Sequence, residues 1–403
     1  MKLTKFFKSS GDLLIDFSNQ PISNRFLSHN CITEAPSFPL QLRIEPDSGL
    51  IHLGKPFPLT ELKPQYEWIT CFEPEEHLDD LVQELIKLPG VSQSSVFGAY
   101  SFKDDSTLRR LERLGYVNNW RIDPVKDLGI SDPCANVETY QCAFTLAKAE
   151  EIFRHHGPAD VFIVRHVVEH AYDLTKFIEA IRRMISPSGY IVWEIPDCER
   201  ALSIGDCTTV WEEHIFYFTS VTFKQVLLEF GFSIFYFKSV PYPLENSLVT
   251  ITQQLPIKKK RVTADPHVLA KEIDRAQRFV KMMDRRRIEI RKKLKALQRE
   301  KGAIAVFGAG HLSVAFISLM QVADLVSCVV DDNPNKKGMR MPVGKLPIVG
   351  SEALYTGEIK VCLLGLNPQN HAKVIAKHVH FIEQGGIFAS IFPGSELDLE
   401  YIN

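Results

Sequence analysis

The chain has 403 residues, of which 45% are hydrophobic and 24% charged, with a formal net charge of −2. That length exceeds one ordinary core and suits two or three domains of about 100–200 residues, with the balance of a soluble globular protein. No bulk charge points to nucleic acid or a membrane, and no stretch has the apolar run of a secretory signal or the roughly 18 apolar residues of a membrane span, so a cytosolic protein is expected.

Up to about Pro89 the chain is rich in Pro and aromatics, and short apolar runs (Phe38 to Ile44, Leu50 to Leu53) are broken by Pro and Gly. This predicts a small β-rich domain over residues 1–89. Over residues 90–256, strand-like runs (Ser95 to Phe97, Val161 to Val164, Tyr190 to Ile195, Ser247 to Thr252) alternate with helical stretches (Ser106 to Leu114, Leu146 to Arg154, Leu174 to Ile185, Thr222 to Phe230). Such alternation predicts an α/β domain with a mostly parallel, doubly wound sheet. Residues 257–301 begin with the polar run Lys258 to Arg261 and continue as a long helix, with Asp265 as cap and Pro266 in its first turn. Its apolar seam (Leu269, Ile273, Ala276, Val280, Met283, Ile290, Leu294, Leu297) is interrupted only by Arg287. At ~1.5 Å per residue the helix is about 50 Å long, enough to cross two domains or to form a homodimer through 265–300. Its basic cluster is interleaved with acids and reads as a solvated face.

Residues 302–403 open on strand, glycine turn and helix: Ile304 to Phe307, Gly308-Ala309-Gly310, Leu312 to Met320, then Leu325 to Val330 ending in Asp331-Asp332. This is a Rossmann-like half-unit. Glycine there lets backbone approach a phosphate, but the third glycine of the dinucleotide fingerprint is replaced near Val314. A degenerate domain that binds part of a substrate, or nothing, is therefore preferred over a working NAD site. In the middle domain, Gly98 ends the first strand and Asp123 the second, where a methyltransferase needs room for its cofactor's methionine part and an acid for its ribose. The fourth strand runs into Arg165-His166-Val167-Val168-Glu169-His170 at the carboxyl edge, where ligands bind in open α/β sheets. Taken alone, these histidines read as structural at least as readily as functional.

Four regions carry a family resemblance. Asp160 to His170 with Asp173, then Ile185 to Pro196, resembles the strand and "L-x-P-G-G … E-x-P" hairpin of sugar C-methyltransferases. Trp211 to Phe218 resembles their "H-E-H-x-x-Y-F" active-site segment. Asp331 to Gly338, with Met341-Pro342 and Leu346-Pro347-Ile348, is similar to the "D-D-N-P-x-K-x-G … P-I" signature of their C-terminal domain, and Gln20 to Leu27 matches a segment of their first domain. The resemblance implies an N-terminal zinc-binding domain, a central class I methyltransferase domain using S-adenosylmethionine, a C-terminal Rossmann-like domain, and a nucleotide-linked keto sugar as substrate. Three departures stand out: the paired zinc cysteines are missing, Glu212 replaces the first histidine of the triplet, and Lys103-Asp104-Asp105-Ser106 replaces the usual Asn-Asp-Gly turn. The eight cysteines include no C-x-x-C pair, so neither bound zinc nor a disulfide framework is expected.

What the resemblance implies for the site is methyl transfer to carbon through an enolate, with His214 as base and Glu213 and Tyr217 beside it. Cofactor-side candidates are Gly98, Asp105, Asp123, Arg165, His166 and His170. Substrate-side candidates are Tyr66, Trp68, Gly308, Gly310, His311, Asp332, Asn333 and Lys337. No metal, nucleic-acid or membrane partner is expected. The alternatives are O-methylation of a sugar and an inactive nucleotide- or sugar-binding protein; an NAD-dependent oxidoreductase is disfavoured by the incomplete fingerprint.

Overall fold

The computed structural model describes residues 11–69, 73–254 and 265–402. Cys71 and the polar run Lys258 to Arg261 lie outside them. In chain order, the N-terminal part contributes β1 (Asp12–Pro21), β2 (Ser37–Ile44), β3 (Ile51–Leu53) and the one-turn α1 (Leu59–Leu62). There follow α2 (Leu78–Leu85), β4 (Phe97–Ala99), α3 (Asp105–Arg113), β5 (Asn119–Arg121), α4 (Val137–Ala143), α5 (Leu146–His156), β6 (Ala159–Arg165) and α6 (Leu174–Arg182). Next come β7 (Ile185–Asp197), α7 (Glu199–Ile204), β8 (Phe216–Tyr217), α8 (Ser220–Glu229), β9 (Phe232–Val240) and β10 (Asn246–Gln254). The 35-residue α9 (Pro266–Glu300) leads to β11 (Ala303–Phe307), α10 (His311–Leu319), β12 (Cys328–Val330), β13 (Ile348–Val349), β14 (Ile359–Leu364), α11 (His371–Lys377), α12 (Val379–Glu383) and β15 (Ile387–Ser390).

The middle sheet has the order β5-β4-β6-β7-β10-β9. Its first four strands are parallel, and β10 runs antiparallel to both β7 and β9. This is the doubly wound α/β sheet that the alternating pattern predicted. The period of two in β6 shows why both faces are covered. Val161 and Ile163 pack with α2 and α3 through Leu78, Val82, Leu108 and Leu111, while Phe162 and Val164 belong to the larger core that holds Ile152, Phe177 and Ile181. Helix α2, on the N-terminal side of Pro89, thus packs on the middle sheet. Three helices on the opposite face start on side-chain caps: Thr145 accepts from Lys148 N–H, Asp173 from Lys176 N–H, and Thr219 from Thr222 N–H.

β4 begins at Phe97 rather than Ser95, because Ser95 is spent on a turn in which its hydroxyl accepts the N–H of Ser92. The N-terminal sheet, β1-β2-β3-β8, is antiparallel, and its last strand is the two-residue β8 from the middle domain, paired Ile51 to Tyr217 and His52 to Phe216. The segment Trp211 to Phe218 is thereby fixed between two domains. The C-terminal sheet, β13-β12-β11-β14-β15, is wholly parallel.

Asp265 caps α9 by accepting the N–H of His267, with Pro266 in the first turn. Of the seam, Ala276, Met283, Ile290, Leu294 and Leu297 are buried by the chain's own domains, so the surface that suggested pairing with a second copy is covered within one chain. Arg287, the interruption, donates to the carbonyl of Leu319 at 2.9 Å. Among the described residues no helix is long and apolar enough to cross a membrane, and the cysteines described there are free thiols.

Candidate active site

At its carboxyl end β6 delivers Arg165 and then His166, whose φ of +50° is a left-handed conformation that non-glycine residues seldom hold. Arg165 is 1% exposed. Its guanidinium binds the carboxylate of Glu194 on β7 and the carbonyl of Lys103, and its N–H donates to Asp104 at 3.0 Å. Glu194 also lies 3.1 Å from Nε2 of His166 and 3.0 Å from Nε2 of His77. Burial alone would raise the Glu194 carboxyl, but Arg165 and these imidazoles hold it well below the carboxylate range. Burial likewise opposes charge on His166, yet Glu73, Glu169 and Glu194 push its pKa up to about 10, so it stands at the edge as an imidazolium.

The segment after α7 makes a turn closed by Tyr217, whose hydroxyl donates to the Trp211 carbonyl at 3.0 Å and lies 3.3 Å from the Trp211 N–H. The turn sends Glu212 and Glu213 one way and His214 the other. Glu212 accepts from the N–H and hydroxyl of Ser23, and Glu213 accepts from the amide of Asn24 at 3.3 Å, so both carboxyls enter the N-terminal domain at the Gln20 to Leu27 segment. His214 points into a cavity of about 160 Å³ between the middle and C-terminal domains. Burial, with His170 and His311 nearby, holds its pKa well below the ordinary imidazole value, so the ring is neutral. It lies 4.9 Å from the rings of both His170 and Trp211.

The cavity joins two sequence features that lie far apart in the chain. His311, the first residue of α10 after the glycine turn, lines it and stacks on Trp211 at 4.4 Å, its pKa lowered by burial to about 4. The lining combines polar and acidic groups (His166, Glu169, Glu73, Asp206, Thr208, Glu245, Asn246 and Asn367) with apolar surface from Pro74, Pro196, Ala201, Leu244 and Leu312. Burial pushes Glu245 up to about 8, leaving an uncharged acid in the wall near neutral pH.

At the adjoining β4 and β5 edge, Asp123 lies half-exposed; its Oδ1 accepts the N–H groups of Val125 and Lys126, and its Oδ2 makes no hydrogen bond among the described residues. The hydroxyl of Tyr100 is buried there with no hydrogen-bond partner among the described residues. A free carboxylate oxygen and an orphaned hydroxyl fit the sugar hydroxyls and polar atoms of a bound nucleoside. Gly98 serves a different need: it lies inside β4, where a Cβ would meet Phe162 at 2.6 Å and Trp120 at 3.0 Å. The turn is organised by Asp104, whose buried carboxylate accepts from Tyr100, Ser101 and Arg165 N–H. Asp105 forms an ion pair with Arg121 at 3.1 Å.

Of the residues singled out in the sequence, the structure gathers His214, His166 and His311 around the cavity, with His170 behind His214. Tyr217 clamps a turn instead of facing the cavity, and Glu213 faces the N-terminal domain. Tyr66 and Trp68 stack on each other at 5.0 Å, with Trp68 against Phe26. Asp332 is bonded to Lys377 and Ser351 N–H, Lys337 pairs with Glu352, and Asn333 accepts from Asn335 N–H; none of these lines the cavity. Sequence reasoning missed Glu169, Glu138, Asp104 and Glu245 as site groups. Glu169 sat in plain view within the quoted strand end, whereas nothing local distinguishes Asp104 from Asp105 or brings Glu138 and Glu245 to one place.

Residues 104–236 match a methyltransferase domain family and residues 257–393 match the C-methyltransferase C-terminal domain family. The C-methyltransferase NovU of Streptomyces niveus is 21% identical over 326 residues, which cover 79% of this chain and 77% of that protein. Among solved structures, a SAM-dependent methyltransferase from Aquifex aeolicus aligns over 49% of this chain and 97% of its own at 11% identity and a TM-score of 0.30. Phosphoethanolamine N-methyltransferase 2 of Haemonchus contortus, solved with S-adenosyl-L-methionine, aligns over 73% and 68% at 11% identity and a TM-score of 0.28. Two family matches in chain order, a methyltransferase domain followed by a C-methyltransferase C-terminal domain, and a C-methyltransferase similar over most of its length, indicate an S-adenosylmethionine-dependent methyltransferase and support the C-methyltransferase family.

Proposed function

We propose that the protein methylates a carbon of a nucleotide-linked keto sugar seated in the cavity between the middle and C-terminal domains, and that His214 removes the proton from that carbon. The observation that carries this reading is the state of His214: buried, neutral, facing the cavity, with no hydrogen bond to its ring among the described residues. A proton acceptor must be neutral and have its lone pair free at the reacting carbon. Thr208, Asn246 and Asn367 offer donors and acceptors for sugar hydroxyls, and His311 brings the C-terminal domain to the same wall. A carbonyl beside the reacting carbon spreads the resulting charge into an enolate. Bound S-adenosylmethionine supplies an electrophilic methyl carbon, with Asp123 and Tyr100 as the residues that would hold its nucleoside.

The test is His214→Asn assayed on keto-sugar acceptors. Positioned bases contribute about 10²–10⁴-fold, so the variant keeps cofactor affinity and loses methyl transfer by that factor. Wild type with S-adenosylhomocysteine exchanges the acceptor's α-proton with heavy water, and the variant does not. Near-normal turnover removes His214 from the chemistry, and transfer without exchange turns the reading to O-methylation.

A further inference from the structure

His170 is held in a particular way. Its Nδ1 faces the carbonyl oxygen of Glu213 at 3.0 Å and Oε1 of Glu138 at 2.6 Å. Carbonyl and carboxylate oxygens accept and do not donate, so Nδ1 carries a proton, and in the neutral ring that a metal ion requires the lone pair is on Nε2. That nitrogen lies 3.8 Å from Oε1 of Glu169, and the ring of His214 stands edge-on to it with centroids 4.9 Å apart.

Glu169 is 2% exposed, and neither of its oxygens has a hydrogen-bond partner among the described residues. Its charged neighbours stand beyond hydrogen-bond distance, Nδ1 of His166 at 3.6 Å and Nε2 of His170 at 3.8 Å, so this buried carboxylate lacks the close donors that such groups usually have. One ligand atom from each of Glu169, His170 and His214 lies within 4.8 Å of the others. Ligand atoms at about 2.0–2.2 Å from a metal ion sit roughly 3–3.5 Å apart, so small side-chain rotations bring these three onto one ion. Glu138 and the Glu213 carbonyl then serve as the outer partners that fix the tautomer and aim of a ligating histidine. His166 stays out of the set because its Nε2 is engaged with Glu194 and its Nδ1 stands between Glu169 and Glu73 at 3.6 and 3.7 Å, the place of a charged imidazolium and not of a ligand.

We propose that Glu169, His170 and His214 bind one divalent transition-metal ion in the cavity wall to which Glu169 and His214 contribute. Two imidazoles and one carboxylate, with open positions beyond them, suit ions of the zinc, cobalt and iron(II) class better than calcium or magnesium. The binding is independent of the reaction proposed above. A second consequence rests on that reaction: coordination and proton removal use the same lone pair of His214, so a bound ion silences it as a base.

The experiment is a cobalt(II) titration of protein stripped with chelator, read by visible ligand-field absorption and by elemental analysis. One ion per chain is expected. Glu169→Gln and His170→Asn should each weaken binding by at least about 100-fold, and Glu138→Gln by about 10–100-fold, the effect of losing an outer partner; thermal melts establish that each variant is folded. Failure of the folded wild type to bind an ion overturns the proposal. So does a Glu169→Gln protein that binds as tightly as wild type, which places the ion elsewhere, at Glu138, His170 and Glu213 or at Asp127, His155 and His156. Methyl transfer that falls as cobalt saturates the site supports the competition. Transfer unchanged at saturation removes His214 as the base and leaves the metal site standing.

Discussion

Two turns in this molecule have the same place in their sheets and opposite chemistry. The β4–α3 turn of the middle domain has no glycine, and its backbone is held by Asp104, whose carboxylate accepts three N–H groups from within. The β11–α10 turn of the C-terminal domain is Gly308-Ala309-Gly310, with Gly308 at a φ of +105°. It is held from the next strand, where Asp331 accepts the N–H of Ala309 at 2.8 Å while Lys336 donates to the Ala309 carbonyl at 2.6 Å. The turn with the conspicuous glycines is thus closed by its own chain, and it serves the cavity by presenting His311. The inconspicuous one lies beside the orphaned Tyr100 hydroxyl and the free oxygen of Asp123. A glycine signature marks a backbone shape, and whether a ligand uses that shape depends on which side chains already occupy its N–H groups.

Breaking the holding carboxylates gives the largest expected effect. Asp104→Ala leaves three N–H groups without their acceptor inside the protein, so at about 1–3 kcal/mol for an unsatisfied group the loss should reach about 3–5 kcal/mol in denaturant unfolding. Asp331→Ala, in a half-exposed turn that water can reach, should cost about 1–2 kcal/mol. Equal losses would erase the distinction between the turns. The pH dependence sharpens it. Burial, opposed by the three N–H donors and Arg165, raises the Asp104 carboxyl to about 7. An acid whose folded pKa lies above its unfolded value of about 3.9 favours the fold while protonated, and that contribution fades as pH rises through the folded value. Wild type should therefore lose stability relative to Asp104→Asn between about pH 4 and pH 7, and the difference should level off above that; a gap independent of pH would refute it.

Next in size is cofactor binding. Asp123→Asn keeps an Oδ1 to accept from Val125 and Lys126 but removes the charge, so turn and fold should survive. Because Asp123 is half-exposed, the loss should be near the net value of one hydrogen bond, about 1 kcal/mol or roughly fivefold in calorimetric affinity for S-adenosylmethionine. Unchanged affinity would move the ribose contact away from β5.

The architecture was legible in the sequence where one period rules a segment. Val161 to Val164, Tyr190 to Ile195 and Asp265-Pro266 each became the element that their pattern predicted, because alternation and capping are local physics. Helix α2 was missed for lying among Pro-rich loops, and α4 because Val137 to Ala143 spans only two turns and mixes Val, Thr, Tyr and Cys with its helix formers. The site was legible only in part. His214 and His311 are separated by most of a hundred residues and meet through domain packing, which no short window encodes. The directions of Glu212 and Glu213 depend on a turn clamped by Tyr217 and on Ser23 and Asn24 from another domain. Seam residues such as Met283 and Leu294 revealed that α9 has an apolar side, but not that this chain covers it.

The smallest expected effect separates the two glycines of the C-terminal turn. At Gly308 a side chain must adopt φ of +105° with a Cβ 3.3 Å from the Gly365 carbonyl oxygen, which should cost about 1–3 kcal/mol. Gly310 is extended at φ −141°, and a Cβ there meets nothing within 4 Å. Gly310→Ala forfeits a modest preference for glycine over alanine at a helix N-cap. It also removes freedom from the unfolded chain, a gain of about 0.4–1 kcal/mol where the native angles are compatible. The two nearly cancel, so Gly310→Ala should stay within about 0.5 kcal/mol of wild type in the unfolding assay that exposes Gly308→Ala. With stability unchanged, the same variant reports on binding: if the nucleotide end of the acceptor lies against this backbone, the added methyl raises KM and leaves kcat alone. If KM stays at the wild-type value, the glycine turn contributes only His311, and the nucleotide is held elsewhere in the cavity wall.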